Sequence, residues 1–264
     1  AAVTIPAADL QALNDGQGNA VGYIMATSVS DAAGNSTSRN ANQFYVDRTP
    51  PVVAIEVTTA GVTDGGTGNS ATYAIKVTPT AVFGGSHPTI TVTGGSQTGA
   101  SHHHGGDPGH FTYTVTPTSD DESMSVVVAA GGATDRAGNP SVVASNTFSW
   151  THDATAPSIS AIATSAFSWT DYLNATEDDT NGTVSITTSG VENGQTLTIT
   201  LNEQSYTNTV TDNATTVTIT AGGLQDLTEG SVTMTADVSD AAGNAAAQVT
   251  SSAFTYDKTA PTVS

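Results

Sequence analysis

"VSDAAGN" at residues 29–35 returns letter for letter at 238–244, and a worn copy, "ATDRAGNP", stands between them at 133–140. The aspartates of the three copies, Asp31, Asp135 and Asp240, are 104 and 105 residues apart. A second phrase keeps the same interval: "FYVDRTPP" at 44–51, "FSWTHDATAP" at 148–157 and "FTYDKTAP" at 254–261. Its aspartates, Asp47, Asp153 and Asp257, are 106 and 104 residues apart. A repeat of about 105 residues is the size of one β-sandwich, so the chain reads as tandem domains.

The segments between the two phrases have a period of two. "YAIKVTP" (73–79), "TITVT" (89–93), "FTYTVTP" (111–117) and "MSVVVAA" (124–130) alternate apolar with polar residues, as do "TVSITTSG" (183–190), "TLTITL" (196–201), "TVTIT" (216–220) and "SVTMTADV" (231–238). Alternation in β-branched residues predicts strands with one buried face, and Gly-, Asn- and Asp-rich turns join them. Helix is expected only as a turn at "LQAL" (10–13) and "LQDL" (224–227). The fold class is all-β: tandem immunoglobulin-like sandwiches in an extended array.

The second phrase sets the boundaries, because proline after the last strand cannot join a ladder and stiffens the way out. Residues 1–49 are expected to be the C-terminal part of one immunoglobulin-like domain, with further domains at 50–155 and 156–264. "AVTIPAADLQAL" (2–13) matches "TVTITAGGLQDL" (216–227), so residue 1 falls within a repeat and the chain reads as a piece of a longer protein.

Charged residues are 11% of the 264, with 24 acids against five bases and a net charge of −19. That balance argues against nucleic acid and anionic membrane, which need clustered Lys and Arg, and favours cations. There is no cysteine. Sandwiches of this size bury a core without disulfides, so the extracellular space stays open. No apolar run approaches the length of about 18 residues that suggests a membrane span.

"VSDAAGN…FTYDKTAPTVS" resembles the bacterial immunoglobulin-like repeats of large repetitive surface adhesins, the biofilm-associated, type I-secreted class. The resemblance covers the third repeat (158–260) and the first partial one, but in the second it holds only at the end (113–140) and departs at 83–110, expected as an irregular Gly- and His-rich loop. It implies an extracellular stalk stiffened by calcium, whose partners are neighbouring domains of the same chain. Any surface or glycan ligand would be gripped elsewhere in the protein.

Sandwich topology makes the repeated aspartates intelligible. The turn before the last strand lies at the end where the chain enters the domain, and faces the arriving linker. Asp47 should therefore meet Asp135 and Asn139, and Asp153 should meet Asp240 and Asn244. Oxygens converging at a tight turn suit Ca²⁺, which takes six to eight of them. The expected metal ligands are these six residues with Asp257, and with Glu177 and Asp178 of an "EDD" loop placed near Asp257; Glu192 is expected at the opposite end. The alternative is a metal-free turn in which Asp or Asn caps the backbone.

Five of the six histidines fall within 87–110. His102 and His104, with His110 or Asp107, have the composition of a transition-metal site, though a Gly-rich hairpin tip is the simpler account. No nucleophile, zinc-protease or phosphate-loop motif is present. Trp150 and Trp169 are expected in cores or junctions rather than as sugar platforms. The function expected is a non-enzymatic, calcium-rigidified extender of a bacterial surface adhesin. The rivals are a glycan- or peptide-binding module centred on 50–155, and a spacer of a secreted polysaccharide-degrading enzyme.

Overall fold

The alternation of "YAIKVTP" becomes the strand Tyr73–Pro79, with Tyr73, Ile75 and Val77 buried and the residues between them half-exposed. Val53–Val57 and His110–Pro117 flank it antiparallel, setting Ile55 and Tyr113 opposite Val77 and Ile75. Gly95–His103 completes a four-stranded sheet. In the facing sheet Ile90–Thr93, Glu122–Val128 and Phe148–His152 lie side by side. Lettered A to G in chain order, these strands run A-B-E-D in one sheet and C-F-G in the other, the order of a constant-type immunoglobulin sandwich.

The computed structural model describes residues 4–15, 21–81, 87–103 and 109–263. They fall into two units, Ala1–Gly66 with Ser70–Thr151, and Thr67–Asn69 with His152–Ser264. The first core runs from Val53 to Trp150 and the second from Ile159 to Tyr256. Each fully buried large apolar side chain in them contributes about 1.5–3 kcal/mol. Both tryptophans are core residues, each 3% exposed; Trp150 meets Tyr73 edge-on and Trp169 stacks on Phe167. Among the described residues no helix is long and apolar enough to cross a membrane.

The second unit is also a sandwich, with a different fourth strand. Ser158–Ile159, Gly182–Ser189 and Ala214–Ile219 form one sheet, Gln204–Thr209, Thr196–Leu201, Thr235–Asp237 and Val249–Thr250 a second, and Tyr172–Leu173, Phe254–Tyr256 and Gly230–Val232 a third. Here the fourth strand, Gln204–Thr209, pairs with the third rather than the fifth. The turn explains it. Leu201 pairs directly with Gln204, and the two residues between them, Asn202 and Glu203, have φ of 48° and 63°. Two residues at positive φ make the tight turn whose twist matches a hairpin, so the strand must fold back on its predecessor. In the first unit the chain instead passes Gly94 and Gly95. A Cβ on them would lie 2.5 Å from the Ser123 carbonyl oxygen and 2.7 Å from that of Thr116. These glycines let the chain cross to the other sheet, where Gly95–His103 pairs with His110–Pro117. The segment 83–110, expected as an irregular loop, is largely strand in its described part.

"SVTMTADV" is not one strand. Gly230–Val232 pairs with Phe254–Tyr256, and Thr235–Asp237 pairs with Thr196–Leu201 in another sheet. At the break Met234 N–H donates to Ser251 Oγ (3.1 Å) and the Ser251 N–H to the Met234 carbonyl (2.9 Å). The first unit repeats this device, with Val128 N–H donating to Ser145 Oγ at 2.9 Å and Ser145 N–H to the Val128 carbonyl at 2.9 Å. A serine thus satisfies the backbone where a strand leaves its ladder.

The first repeat contributes a short helix, Ala7–Gln11, and the paired strands Val21–Tyr23 and Phe44–Val46. Its hairpin, Ala26–Ser30 with Ser36–Asn40, is exposed at every position. The second helix, Ala221–Gln225, starts where Thr220 Oγ1 accepts from the Gly223 N–H. Both helices begin three residues ahead of the expected "LQAL" and "LQDL" and end on the first two residues of each.

Candidate functional site: the repeated aspartates

Asp-x-x-Gly-Asn is built the same way three times. The Asp N–H donates to the Asn carbonyl and the Gly N–H to the Asp carbonyl: Asp31 with Asn35 and Gly34, Asp135 with Asn139 and Gly138, Asp240 with Asn244 and Gly243. The glycines stand at φ of 88°, 96° and 91°, a region that L side chains avoid, so the backbone requires them. Each Asp Oδ1 accepts the Asn backbone N–H, and each Oδ2 accepts the Asn side-chain amide at 2.8–2.9 Å. These bonds, the Asn35 side chain foremost, hold the Asp31 carboxyl below its ordinary value. Asp31 is exposed, whereas Asp135 and Asp240 are 3% and 4% exposed.

The asparagine amide also reaches the linker. Asn139 Nδ2 donates to the Asp47 carbonyl at 3.0 Å in the first unit, and Asn244 Nδ2 to the Asp153 carbonyl at 3.0 Å in the second. The structure thus brings Asp47 to Asn139 and Asp153 to Asn244, and the same amides hold Asp135 and Asp240. Asn69 donates to Asn244 Oδ1 at 3.1 Å, and Glu192 Oε2 accepts the Ala241 N–H, bracing the same turn. Aspartate sets the asparagine, and the asparagine grips the linker.

Each linker aspartate caps its own turn, with Oδ1 accepting the N–H of Thr49, Thr155 or Thr259 two residues on, at 2.9–3.0 Å. Sequence reasoning missed a second carboxylate at two of them. Asp15 accepts from the Arg48 N–H (3.0 Å) and the Thr49 hydroxyl (2.9 Å). Glu229 accepts from the Lys258 N–H (2.9 Å) and the Thr259 hydroxyl (3.0 Å). The Lys258 N–H, then the Thr259 hydroxyl, draw the Glu229 carboxyl below its ordinary value. A signal was present: both acids stand five residues after the matched Leu10 and Leu224.

The "EDD" acids are engaged within the second unit. Tyr256 donates its hydroxyl to Asp178 Oδ2 at 2.6 Å, and Asp178 is 5% exposed. Burial, then the Asp178 carboxylate, pushes the Tyr256 phenol up to about 12. Glu177 Oε2 accepts the Asn174 N–H and Asp179 Oδ1 accepts from Gln225. Asp257 joins this end through its N–H, given to the Leu173 carbonyl. Of the histidine cluster, His104 and Asp107 lie outside the described residues, and His102 stacks on Phe111 while His103 stacks on His110.

The strand order and cores define the class: tandem immunoglobulin-like sandwiches. No protein-family model and no curated protein matches the sequence. Among solved structures, the chain is similar to a Ca²⁺-stabilised adhesin with which an Antarctic bacterium binds ice, at 21% identity over 89% of this chain and 56% of that one, TM-score 0.37. It therefore spans a little over half the length of that structure. It is also similar to a structure from a 1.5-MDa bacterial ice-binding adhesin (22% identity, 97% and 79% covered, TM-score 0.33). A third is a bacterial immunoglobulin-like domain of the M. primoryensis ice-binding adhesin (27% identity, 38% and 93% covered, TM-score 0.27).

Proposed function

We propose that this chain is a non-enzymatic extender segment of a bacterial surface adhesin, working outside the cell, in which asparagine clamps fix the linkers at Asp47 and Asp153 and calcium stiffens those at Asp47 and Asp257. The observation that carries the reading is the clamp itself. The same Asp–Asn–linker-carbonyl relay stands at Asp135–Asn139–Asp47 and at Asp240–Asn244–Asp153. A relay that recurs in phase with the repeat serves the joint, not a local ligand.

Calcium enters through the linker carboxylates. Asp135 and Asp240 are buried, and both oxygens of each already accept hydrogen bonds, which suits turn formers rather than ligands. Asp178 likewise holds Tyr256. At the linkers, carboxylates converge in pairs on one threonine: Asp15 and Asp47 on Thr49, Glu229 and Asp257 on Thr259. Paired carboxylates near the surface are the oxygen donors a hard, geometrically tolerant cation takes. Bound there, calcium would neutralise the pair and hold the turn; the chain's own part is to place the oxygens.

Calorimetric titration tests this assignment. Asp257→Asn and Glu229→Gln should each weaken one calcium site, and the double variant should lose little more than either alone, since both act at one ion. Asp31→Asn should leave calcium binding intact. Titration heats that none of these variants alters would overturn it.

A further inference from the structure

The second repeat differs from the third in its fourth strand, and there the described residues place a histidine pair. Gly95–His103 and His110–Pro117 are antiparallel, and His103 and His110 stand directly opposite each other at the end of the ladder. Opposed residues on one face have Cβ atoms about 4.5–5.5 Å apart, close enough for two side chains to meet at one point. Their rings lie 4.7 Å apart and 12° from parallel. His102 belongs to the other face, stacked on the buried Phe111 at 4.2 Å, and His87 meets the edge of the same Phe111 at 5.3 Å. His104, the expected companion of His102, lies outside the described residues.

A second contact points the same way. The Ser101 hydroxyl is 3.1 Å from Nε2 of His103. With that oxygen accepting from Nε2–H, the imidazole keeps its lone pair on Nδ1. Metal-ligating histidines are commonly oriented and fixed in tautomer in this way, through their other nitrogen.

We infer that His103 and His110 chelate one divalent ion of the zinc, nickel or copper class, with water completing its coordination. Imidazole suits these ions, whereas calcium and magnesium take oxygen, so this site is chemically separate from the linker carboxylates. The ion would tie an edge strand to its neighbour where the ladder ends. Copper should bind more tightly than nickel or zinc, following the usual order for nitrogen ligands.

The test is calorimetric titration of the whole chain with nickel, zinc or copper chloride in saturating calcium, alongside copper-induced broadening of the histidine ring resonances. One ion per chain is expected. His103→Ala and His110→Ala should each weaken binding at least tenfold, the double variant should add little, and His102→Ala should bind like the parent. In the unaltered chain the His103 and His110 rings should broaden first, a readout that no folding defect in a variant can blunt. Binding that survives in both His103→Ala and His110→Ala, that calcium displaces, or that depends on His104 but not on His103 would overturn the assignment.

Discussion

Asn244 holds two groups with one amide, Asp240 Oδ2 at 2.9 Å and the Asp153 carbonyl at 3.0 Å. Asn244→Ala strands a buried carboxylate oxygen, so urea unfolding should show a loss of about 1–3 kcal/mol in the second unit. Asn35→Ala removes the same bond around the exposed Asp31, where water replaces it, and should cost clearly less. Equal losses would mean that burial is not what makes the clamp matter. Tyr256→Phe removes the hydroxyl on Asp178 and should also cost about 1–3 kcal/mol. The phenol is raised from 10.0 to about 12 on folding, so its contribution is complete below pH 10 and is lost as pH rises towards 12. Alkaline melts should therefore diverge between parent and variant least at the top of that range. The turn, its glycine and the meeting of asparagine with linker were all legible in the repeated motif. That Asp135 and Asp240 would be buried with both oxygens in use was not, because one composition serves both a metal ligand and a turn former.

Alternation alone reveals most strands, but not where the fourth strand of each sandwich goes. That choice rests on a turn of two residues, Asn202 and Glu203, and on Gly94–Gly95, and neither is the Asn-Gly pair that announces a hairpin. Glu203 sits at φ 63°, so Glu203→Gly should raise the stability of the second unit by about 1 kcal/mol in denaturant unfolding. A loss instead would show that the turn is held by the Glu203 side chain. The strand break at Met234 was hidden for a related reason: "SVTMTADV" alternates without a fault, and the serine that supports the switch lies 17 residues away. Ser251→Ala leaves the buried Met234 N–H unpaired and should cost about 1–3 kcal/mol. If Ser251→Ala unfolds like the parent, the backbone has another partner at the break. The 83–110 segment was unreadable because its Gly-, Ser- and His-rich strand carries little of the apolar alternation that marks the others.

At the scale of the whole chain, 24 acids stand against five bases. Among the described residues Lys76 and Glu56 form the one ion pair, an exposed one worth little. A cation that binds only the folded form stabilises it by about 2.7 kcal/mol when its free concentration is 100 times its dissociation constant. At matched ionic strength calcium should raise the melting temperature more than magnesium, which is smaller and keeps its water, and more than sodium, which only screens. Coincident melts in the three salts would remove calcium from the account. The most direct test of a clamped and calcium-stiffened linker is small-angle X-ray scattering of the chain, with calcium and with chelator, for the parent and for Asn244→Ala. The parent in calcium should scatter as a particle with a narrow range of lengths. Chelator should widen that range, and Asn244→Ala should widen it further while each sandwich keeps its own circular dichroism. Four superimposable scattering profiles would contradict the account.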